Sequence, residues 1–251
     1  MKLFVVTGAS RGMGAAIAAQ LLGDAGSTVL CISRHENPSL TTQAQQSGAT
    51  CVQWTADLAE PSGVAVRLRE WLAGRDAASF RRATLINNAG VLTTIGGLER
   101  CSDEELSAAL RVGLEAPLLL TAAFLRATAG WPGERRVLNV SSGLGRRAMA
   151  GQATYCAAKA GMDHLSRAVA LDQALLANGA KIVSLAPGVI DTDMQVQLRG
   201  ADGAGFPEQA VFVRLKESGQ LASTREAAAR VVAFLERADF GTVPVADVRD
   251  A

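Results

Sequence analysis

The stretch KLFVVTGASRGMG, residues 2–14, decides the fold. Its first six residues form an apolar run that predicts a short buried strand, and three glycines follow in the spacing GxxxGxG. Glycine lets the backbone turn tightly and approach a ligand closely. The helix-forming residues 15–22 come next, so the loop presents backbone N–H groups at a helix N-terminus, where a pyrophosphate binds favourably. We therefore expect a dinucleotide site formed by Gly8, Ser10, Arg11, Gly12, Met13 and Gly14.

Strand-like and helix-like segments alternate along the rest of the chain, without an internal linker or repeat. Such alternation predicts a Rossmann-type, doubly wound α/β fold, a parallel sheet covered by helices, here as a single domain over residues 1–251. Ligands of such sheets bind beyond the carboxyl ends of the strands. The later predicted strands are 28–33, 51–55, 82–87, 136–140, 180–185 and 242–246, and predicted helices lie around 40–46, 63–72, 104–127, 152–178 and 225–237.

The composition argues against several classes of function. The 25 lysines and arginines exceed the 24 aspartates and glutamates by one, which gives no electrostatic case for nucleic acid or an anionic membrane surface. No signal peptide precedes the first strand and no apolar run is long enough to span a bilayer, so we expect a cytoplasmic protein. The four scattered cysteines are expected to be reduced thiols, and no metal is implied, because neither they nor His35 and His164 have ligand spacing.

Tyr155 and Lys159 are four residues apart and fall on one face of a predicted helix. An ammonium group beside a phenol stabilises the phenolate and lowers a tyrosine pKa that is ordinarily about 10. Such a pair can pass a proton to a carbonyl oxygen, while a hydroxyl such as that of Ser142 holds the same oxygen. This arrangement indicates reduction of a carbonyl group by a hydride that arrives from elsewhere.

Four motifs together resemble those of the short-chain dehydrogenase/reductase family, in the family's order and over nearly the whole chain. They are Thr7 to Gly14, Asn87-Asn88-Ala89-Gly90, the set Ser142, Tyr155 and Lys159, and Pro187-Gly188 followed by Thr192. The resemblance implies an oxidoreductase in which Tyr155 donates the proton and Ser142 holds the substrate oxygen. It also implies that Lys159 binds the nicotinamide ribose and lowers the tyrosine pKa.

The same resemblance implies how a nicotinamide cofactor is held. Asp57 is expected to contact the adenine, and Asn88 to brace the region between strand and cofactor. The backbone around Val189 and the hydroxyl of Thr192 are expected to hold the nicotinamide carboxamide. Leu58, Ala89, Gly90, Pro187 and Gly188 complete the implied cofactor-binding set.

The end of the second strand indicates which cofactor is used. An NAD enzyme places an acid there, against the ribose 2′-hydroxyl. This chain has Ser33 and Arg34 instead, so no carboxylate repels a 2′-phosphate, and Arg34 together with Arg11 can pair with that group. We therefore expect NADPH.

One position departs from the family pattern. The family's fourth catalytic residue is an asparagine in the long helix before the fifth strand, and the alignment of residues 112–117 puts Gly113 in its place. Glycine retains the backbone carbonyl that the family offers to a water beside the lysine, but it destabilises a helix by about 1 kcal/mol relative to alanine. We expect a slower or differently arranged proton relay rather than an inactive protein.

The substrate is expected to be an uncharged, hydrophobic carbonyl compound, because the loops 92–97, 144–151 and 193–208 are largely apolar or small. Arg146, Arg147 and Arg199 in these loops could face either the pocket or solvent. The segments 31–37 and 186–195 and the ending at Asp247 resemble the branch of benzil reductases and sepiapterin reductases, which reduces vicinal dicarbonyls. That resemblance implies a benzil-like 1,2-diketone, with Leu144, Met149, Met194 and Asp247 as candidate substrate residues.

Two other functions stay open at this point. The first is a pterin reductase with the same mechanism, in which Asp247 would anchor the pterin as a C-terminal aspartate does in sepiapterin reductases. The second is a catalytically weak NADP(H)-binding sensor, which Gly113 favours and the set Ser142, Tyr155 and Lys159 disfavours. The family resemblance further implies a homodimer or homotetramer formed through the helices 104–127 and 152–178.

Overall fold

A seven-stranded parallel sheet forms the centre of the protein, in a computed structural model that describes residues 1–250. The strand order is β3-β2-β1-β4-β5-β6-β7, and every neighbouring pair is parallel. The prediction of a single, doubly wound α/β domain is confirmed. The strands are β1 (Lys2–Thr7), β2 (Ser27–Ser33), β3 (Thr50–Thr55), β4 (Arg82–Asn87), β5 (Glu134–Val140), β6 (Lys181–Ala186) and β7 (Val245–Asp247).

Helices cover both faces of the sheet, because parallel strands joined by crossovers leave two apolar faces to bury. The helices are α1 (Gly12–Leu21), α2 (Pro38–Ser47), α3 (Pro61–Ala73), α4 (Asp103–Leu110), α5 (Ala116–Ala127), α6 (Ala153–Ala174), α7 (Asp193–Arg199), α8 (Gln209–Glu217) and α9 (Thr224–Glu236). Ile17 of α1 and Val231 of α9 belong to the core on one face. Leu68 of α3 and Phe124 of α5 belong to the core on the other.

Three boundaries differ from the sequence-based expectations. The helix expected to end at residue 178 ends at Ala174, since the chain then turns and the side chain of Gln173 accepts from the N–H of Ala180. The last strand begins at Val245 rather than residue 242, directly after Pro244, which has no N–H to donate. The segment 193–208, expected to be a loop, contains helix α7.

The long helix expected over residues 104–127 is interrupted by a π-helical turn, Arg111–Glu115. Such turns are often associated with functional sites. Gly113 lies buried in this turn, and a Cβ atom there would be 3.0 Å from Cβ of Ala158 in α6. The absence of a side chain at Gly113 therefore lets the turn approach α6 closely.

The helical run Asp103–Ala127 is apolar and long enough to cross a membrane by length and composition alone, which the sequence analysis did not expect. Half of its most apolar window is buried inside the protein, where Leu120 and Phe124 are fully covered by the core. This burial identifies the run as part of the core of the fold.

A group of apolar side chains at the end of α6 remains exposed. Leu171, Leu175 and Leu176 have exposed fractions of 72%, 85% and 54%. Exposed apolar patches of this kind commonly mark contacts between subunits. The homodimer or homotetramer expected from the family stays a prediction.

The packing of Gly113 generates a stability prediction. Gly113→Asn should lower the free energy of unfolding by about 1–3 kcal/mol, because the new Cβ overpacks against Ala158. Adding Ala158→Gly should recover part of that loss, since it removes the opposing methyl group but itself costs about 1 kcal/mol as a glycine within α6. Chemical denaturation of the single and double variants measures both effects.

The matched control is Gly63→Ala in α3, where an added Cβ meets no atom within 4 Å. This variant should be neutral or more stable by roughly 0.5–1 kcal/mol, because alanine favours helix over glycine. A Gly113→Asn variant as stable as the wild type would show that the π-helical turn yields without cost.

Candidate active site

The glycine loop leaves room for a ligand only because side chains are missing from it. Gly8 and Gly12 adopt positive φ values of 68° and 59°. A Cβ at Gly14 would lie 2.2 Å from the carbonyl oxygen of Gly8, so helix α1 packs directly against the backbone of the loop. Helix α1 begins without a side-chain cap at Arg11 and without an acid in its first turn. Its first N–H groups are therefore suited to a pyrophosphate, which supports the predicted dinucleotide site.

Asn88 connects the glycine loop to the neighbouring strand β4. Its side-chain amide donates to the carbonyl oxygens of Thr7 at 2.9 Å and Gly8 at 3.4 Å. The hydroxyl of Thr7 in turn accepts from the backbone N–H groups of Asn88 and Ala89 at 2.9 and 3.0 Å. These bonds hold the carboxyl ends of β1 and β4 together, and Asn88 thus occupies the bracing position that the resemblance implied.

The expected adenosine end of the site lies beyond β2 and β3. Ser33 is buried and donates to the carbonyl oxygen of His35 at 2.8 Å. The side chain of Arg34 is exposed and makes no ion pair with residues 1–250. Asp57 accepts from the N–H of Ala59 at 2.9 Å and otherwise faces solvent. Asn37, which the sequence analysis did not single out, donates to the carbonyl oxygen of Ser10 at 3.1 Å and ties this end to the glycine loop.

The expected nicotinamide end follows β6. Gly188 has a φ of 85°, and the backbone of Val189 accepts from the N–H of Ala222 at 3.0 Å, so this segment is bonded to the chain before α9. Thr192 precedes α7 as its N-terminal flanking residue. Arg11 forms an exposed ion pair with Asp193 across the crevice. Arg34 is consequently the freer of the two arginines proposed for a 2′-phosphate.

The three candidate catalytic side chains meet where α6 crosses the end of β5. Lys159 is 4% exposed, and its ammonium donates to the carbonyl oxygen of Val140 at 2.6 Å. The same ammonium lies 5.6 Å from the ring centroid of Tyr155. Ser142 follows β5 and accepts from the N–H of Leu144 at 3.2 Å, which orients its hydroxyl oxygen. The four-residue spacing thus places Tyr155 and Lys159 on one face of α6, while Ser142 follows β5. Their catalytic roles stay a prediction.

The two titratable groups have shifted pKa values. Burial raises the pKa of Tyr155, and this effect outweighs the hydrogen bond from Ser142, which lowers it. The expectation that Lys159 would lower the tyrosine pKa does not hold for the protein alone, because desolvation dominates. Burial also lowers the pKa of Lys159 to about 8, and the carboxylate of Asp163 partly opposes that shift. At neutral pH the site therefore holds a neutral phenol beside an ammonium ion.

Asp163 is a polar residue of the site that the sequence analysis missed. It is 1% exposed, and its Oδ1 accepts from the hydroxyls of Ser141 and Ser184, both at 2.6 Å. Nε of Arg146 lies 3.5 Å from Oδ2 of Asp163, and Nη2 of Arg146 donates to the carbonyl oxygen of Ala246 at 2.7 Å. Its position four residues after Lys159 was a usable signal, because residues at this spacing share a helix face.

The candidate substrate residues divide into two environments. Leu144, Met149 and Met194 belong to one apolar cluster, which also includes Cys156, the neighbour of Tyr155. Asp247 lies elsewhere, with its carboxylate oxygens bound by Arg249 at 2.6 and 2.8 Å. The remaining members of the apolar cluster are Leu92, Ile95, Leu198, Ala201, Phe206, Phe212 and Leu215.

Comparison with known proteins agrees with this geometry. A family model described as short chain dehydrogenase matches residues 2–203. A benzil reductase ((S)-benzoin forming) of Bacillus cereus is 35% identical over 240 residues, covering 96% of each chain. A sepiapterin reductase of Xenopus laevis is 31% identical over 246 residues, covering 93% of this chain and 90% of that one.

A solved structure is related over the full length. The crystal structure of a short-chain dehydrogenase/reductase from Burkholderia vietnamiensis is 35% identical, covers 100% of this chain and 99% of its own, and superposes with a TM-score of 0.63. The family match spans most of the chain, and the glycine loop, Asn88 and the Ser142, Tyr155 and Lys159 set lie at the carboxyl ends of the strands. The chain belongs to the short-chain dehydrogenase/reductase family.

Proposed function

We propose that this oxidoreductase is an NADPH-dependent carbonyl reductase whose substrate is an apolar, benzil-like 1,2-diketone. The observation that carries the proposal is the meeting of Ser142, Tyr155 and Lys159 beside the apolar cluster. The similarity to benzil reductase over nearly the whole chain supports the same substrate class. The proposal thus has three parts: an apolar substrate, NADPH as the cofactor and a cytoplasmic location.

The residues of the chain have distinct roles in this reaction. NADPH, when bound, supplies the hydride to the carbonyl carbon. The hydroxyl of Ser142 donates a hydrogen bond to the carbonyl oxygen, and Tyr155 gives that oxygen its proton as negative charge develops. The raised pKa of Tyr155 keeps its phenol protonated at neutral pH, as a donor must be. The ammonium of Lys159 then stabilises the phenolate that remains.

The choice of NADPH depends on Arg34. Its guanidinium is exposed at the end of β2, where a 2′-phosphate would lie, and guanidinium groups bind phosphate in bidentate fashion. Ser33 adds no negative charge. An aspartate at the same position would repel the phosphate.

The apolar cluster favours a diketone over a pterin. Leu144, Met149 and Met194 present hydrocarbon and thioether surface, which suits aromatic rings without charged substituents. A pterin instead needs polar partners for its ring nitrogens. Asp247, the candidate partner, already accepts three bonds from Arg249, two from its guanidinium and one from its backbone N–H, and lies 3.9 Å from Arg146.

The pterin reductase remains the second candidate because of the similarity to sepiapterin reductases. Activity on sepiapterin that is lost in Asp247→Asn would favour it over the diketone reductase. The third candidate is a cofactor-binding sensor with little turnover. An NADPH-consumption screen over diketones, quinones, pterins and ketosteroids separates the three, because a sensor binds NADPH without oxidising it in any of these reactions.

The first kinetic prediction concerns Tyr155→Phe, which removes the proton donor and keeps the ring. With the best diketone from the screen, kcat should fall on the order of 10²–10⁴-fold, the usual contribution of a general acid. NADPH affinity, measured by fluorescence titration, should be largely retained. More than half of the wild-type kcat in this variant would exclude Tyr155 as the donor.

A second prediction tests the cofactor. Ser33→Asp combined with Arg34→Ala should weaken NADPH binding by about 1.5–3 kcal/mol, the scale of a hydrogen bond to a charged group, and leave NADH binding equal or stronger. The matched control is Arg75→Ala, which should change neither affinity. Arg75 is exposed and follows α3, on the side of the sheet where the strands begin. A wild type that binds NADH more tightly than NADPH would refute the cofactor proposal.

A third prediction uses the fact that Tyr155 is the only tyrosine of the chain. The ultraviolet absorbance of tyrosinate should titrate with a midpoint above about 10 in the protein alone, because burial disfavours the phenolate. Saturation with NADP⁺ should lower the midpoint, since the nicotinamide ring is positive. Tyr155→Phe is the blank and should show no tyrosinate signal. A midpoint below 10 without NADP⁺ would contradict the desolvation argument.

A further inference from the structure

Two successive turns of α6 contact two consecutive residues at the end of β5. Lys159 donates to the carbonyl oxygen of Val140 at 2.6 Å. Asp163 accepts from the hydroxyl of Ser141 at 2.6 Å. Positions 159 and 163 are spaced by four residues and share one helix face with Tyr155, so the helix holds residues 140 and 141, which directly precede Ser142, at two points.

The second of these contacts connects further elements of the fold. Oδ1 of Asp163 also accepts from the hydroxyl of Ser184 in β6 at 2.6 Å, so one carboxylate oxygen joins α6, the residue that follows β5, and β6. Gly145 packs against the same place, where a Cβ atom would lie 2.8 Å from Oδ2 of Asp163 and 3.0 Å from the carbonyl oxygen of Lys159. The turn that carries Ser142 is therefore fitted closely to Asp163.

The carboxylate is buried, and its charge is compensated from outside α6. Nε of Arg146 lies 3.5 Å from Oδ2, which has no hydrogen-bond partner in residues 1–250. A buried carboxylate with one such neighbour is costly unless a further charge compensates it. The ammonium of Lys159 is buried one helical turn away on the same face of α6, and the two opposite charges stabilise each other.

Few other charged groups face this pair within residues 1–250. Lys159 has Tyr155 on its own helix, and Arg146 reaches Asp163 from the turn after β5. Three charged groups of the other packed elements have partners: Asp247 pairs with Arg249 after β7, Arg111 of the π-helical turn pairs with Glu60, and Glu105 of α4 binds Thr94 and Ser102. Asp103, Glu104 and Glu115 of the same elements are exposed to solvent.

We infer that Asp163 is a positioning residue of the active site, whose buried carboxylate orders the Ser142 segment through Ser141 and lies one helical turn from the ammonium of Lys159. The kinetic part of this inference rests on the proposed carbonyl reduction. Its electrostatic part does not, because it can be measured in the protein without substrate.

The test replaces the charge while keeping the shape, in Asp163→Asn. The chain has only four lysines, Lys2, Lys159, Lys181 and Lys216, so carbon-13 labelling at lysine Cε gives four NMR signals to titrate, and Lys159→Arg identifies one of them. In the wild type the Lys159 signal should titrate near a pKa of about 8. In Asp163→Asn the midpoint should fall by about one pH unit, since an opposite charge has been removed.

Kinetics should follow the same direction. The rate of reduction should fall as pH rises through the pKa of Lys159, and this basic limb should move to lower pH in Asp163→Asn by the same amount. Asp172→Asn, an exposed aspartate on the same helix, is the control and should leave the limb, the midpoint and kcat unchanged.

Ser141→Ala separates positioning from charge, and it also carries the test if Asp163→Asn does not fold. It removes one bond from the carboxylate to the catalytic segment, so kcat should fall roughly tenfold, as expected for a displaced catalytic group, with the Lys159 midpoint and NADPH affinity unchanged. Unaltered kcat in Ser141→Ala would overturn the positioning role.

An unmoved Lys159 midpoint in Asp163→Asn, accompanied only by lower thermal stability, would show that Asp163 is merely structural and overturn the electrostatic role. If the wild type reduces no carbonyl compound, the proposed function fails. The lysine titration still decides the electrostatic role in that case.

Discussion

A buried ammonium ion must be paired, and in this protein the ion is that of Lys159. Its bond to the carbonyl oxygen of Val140 supplies a partner in a region from which water is excluded. The same bond attaches α6 to the end of β5, and both Tyr155 and Ser142 take their positions from those two elements. Satisfying one charge thus sets the relative position of donor, hydroxyl and lysine, which the proposed reaction requires.

Close approach of main chain to its neighbours is the second constraint on the site. Gly14 contacts the carbonyl of Gly8, Gly145 contacts the backbone of Lys159, and Gly113 contacts Ala158. At each position a methyl group would meet atoms at 3.0 Å or less. The contact at Gly14 shapes the glycine loop. The contacts at Gly145 and Gly113 bring the turn after Ser142 and the π-helical turn close to α6, which carries Tyr155 and Lys159. Gly113 therefore has a packing role of its own besides replacing the family's asparagine.

The sequence predicted what depends on local pattern. Apolar runs located the strands, and the parallel topology then placed Gly8, Asn88, Ser142 and Pro187 at one edge of the sheet. Long-range partners were not readable, since Asp163 obtains its hydrogen bonds from two strands that are distant in sequence. The direction of the tyrosine pKa was also missed, because desolvation depends on packing that no spacing reveals.

The bond from Arg146 to the carbonyl of Ala246 gives the last strand a direct link to the turn that follows Ser142. A deletion that starts at Asp247 would leave every proposed catalytic and cofactor residue in place, yet it would remove an anion that faces Arg146 and thereby free that arginine beside Asp163. The terminal segment is thus a poor site for purification tags or reporter fusions. The other end is safer for such additions, because it lies where the strands begin and the proposed site lies where they end. There the Met1 amine contacts Ser79, which precedes β4.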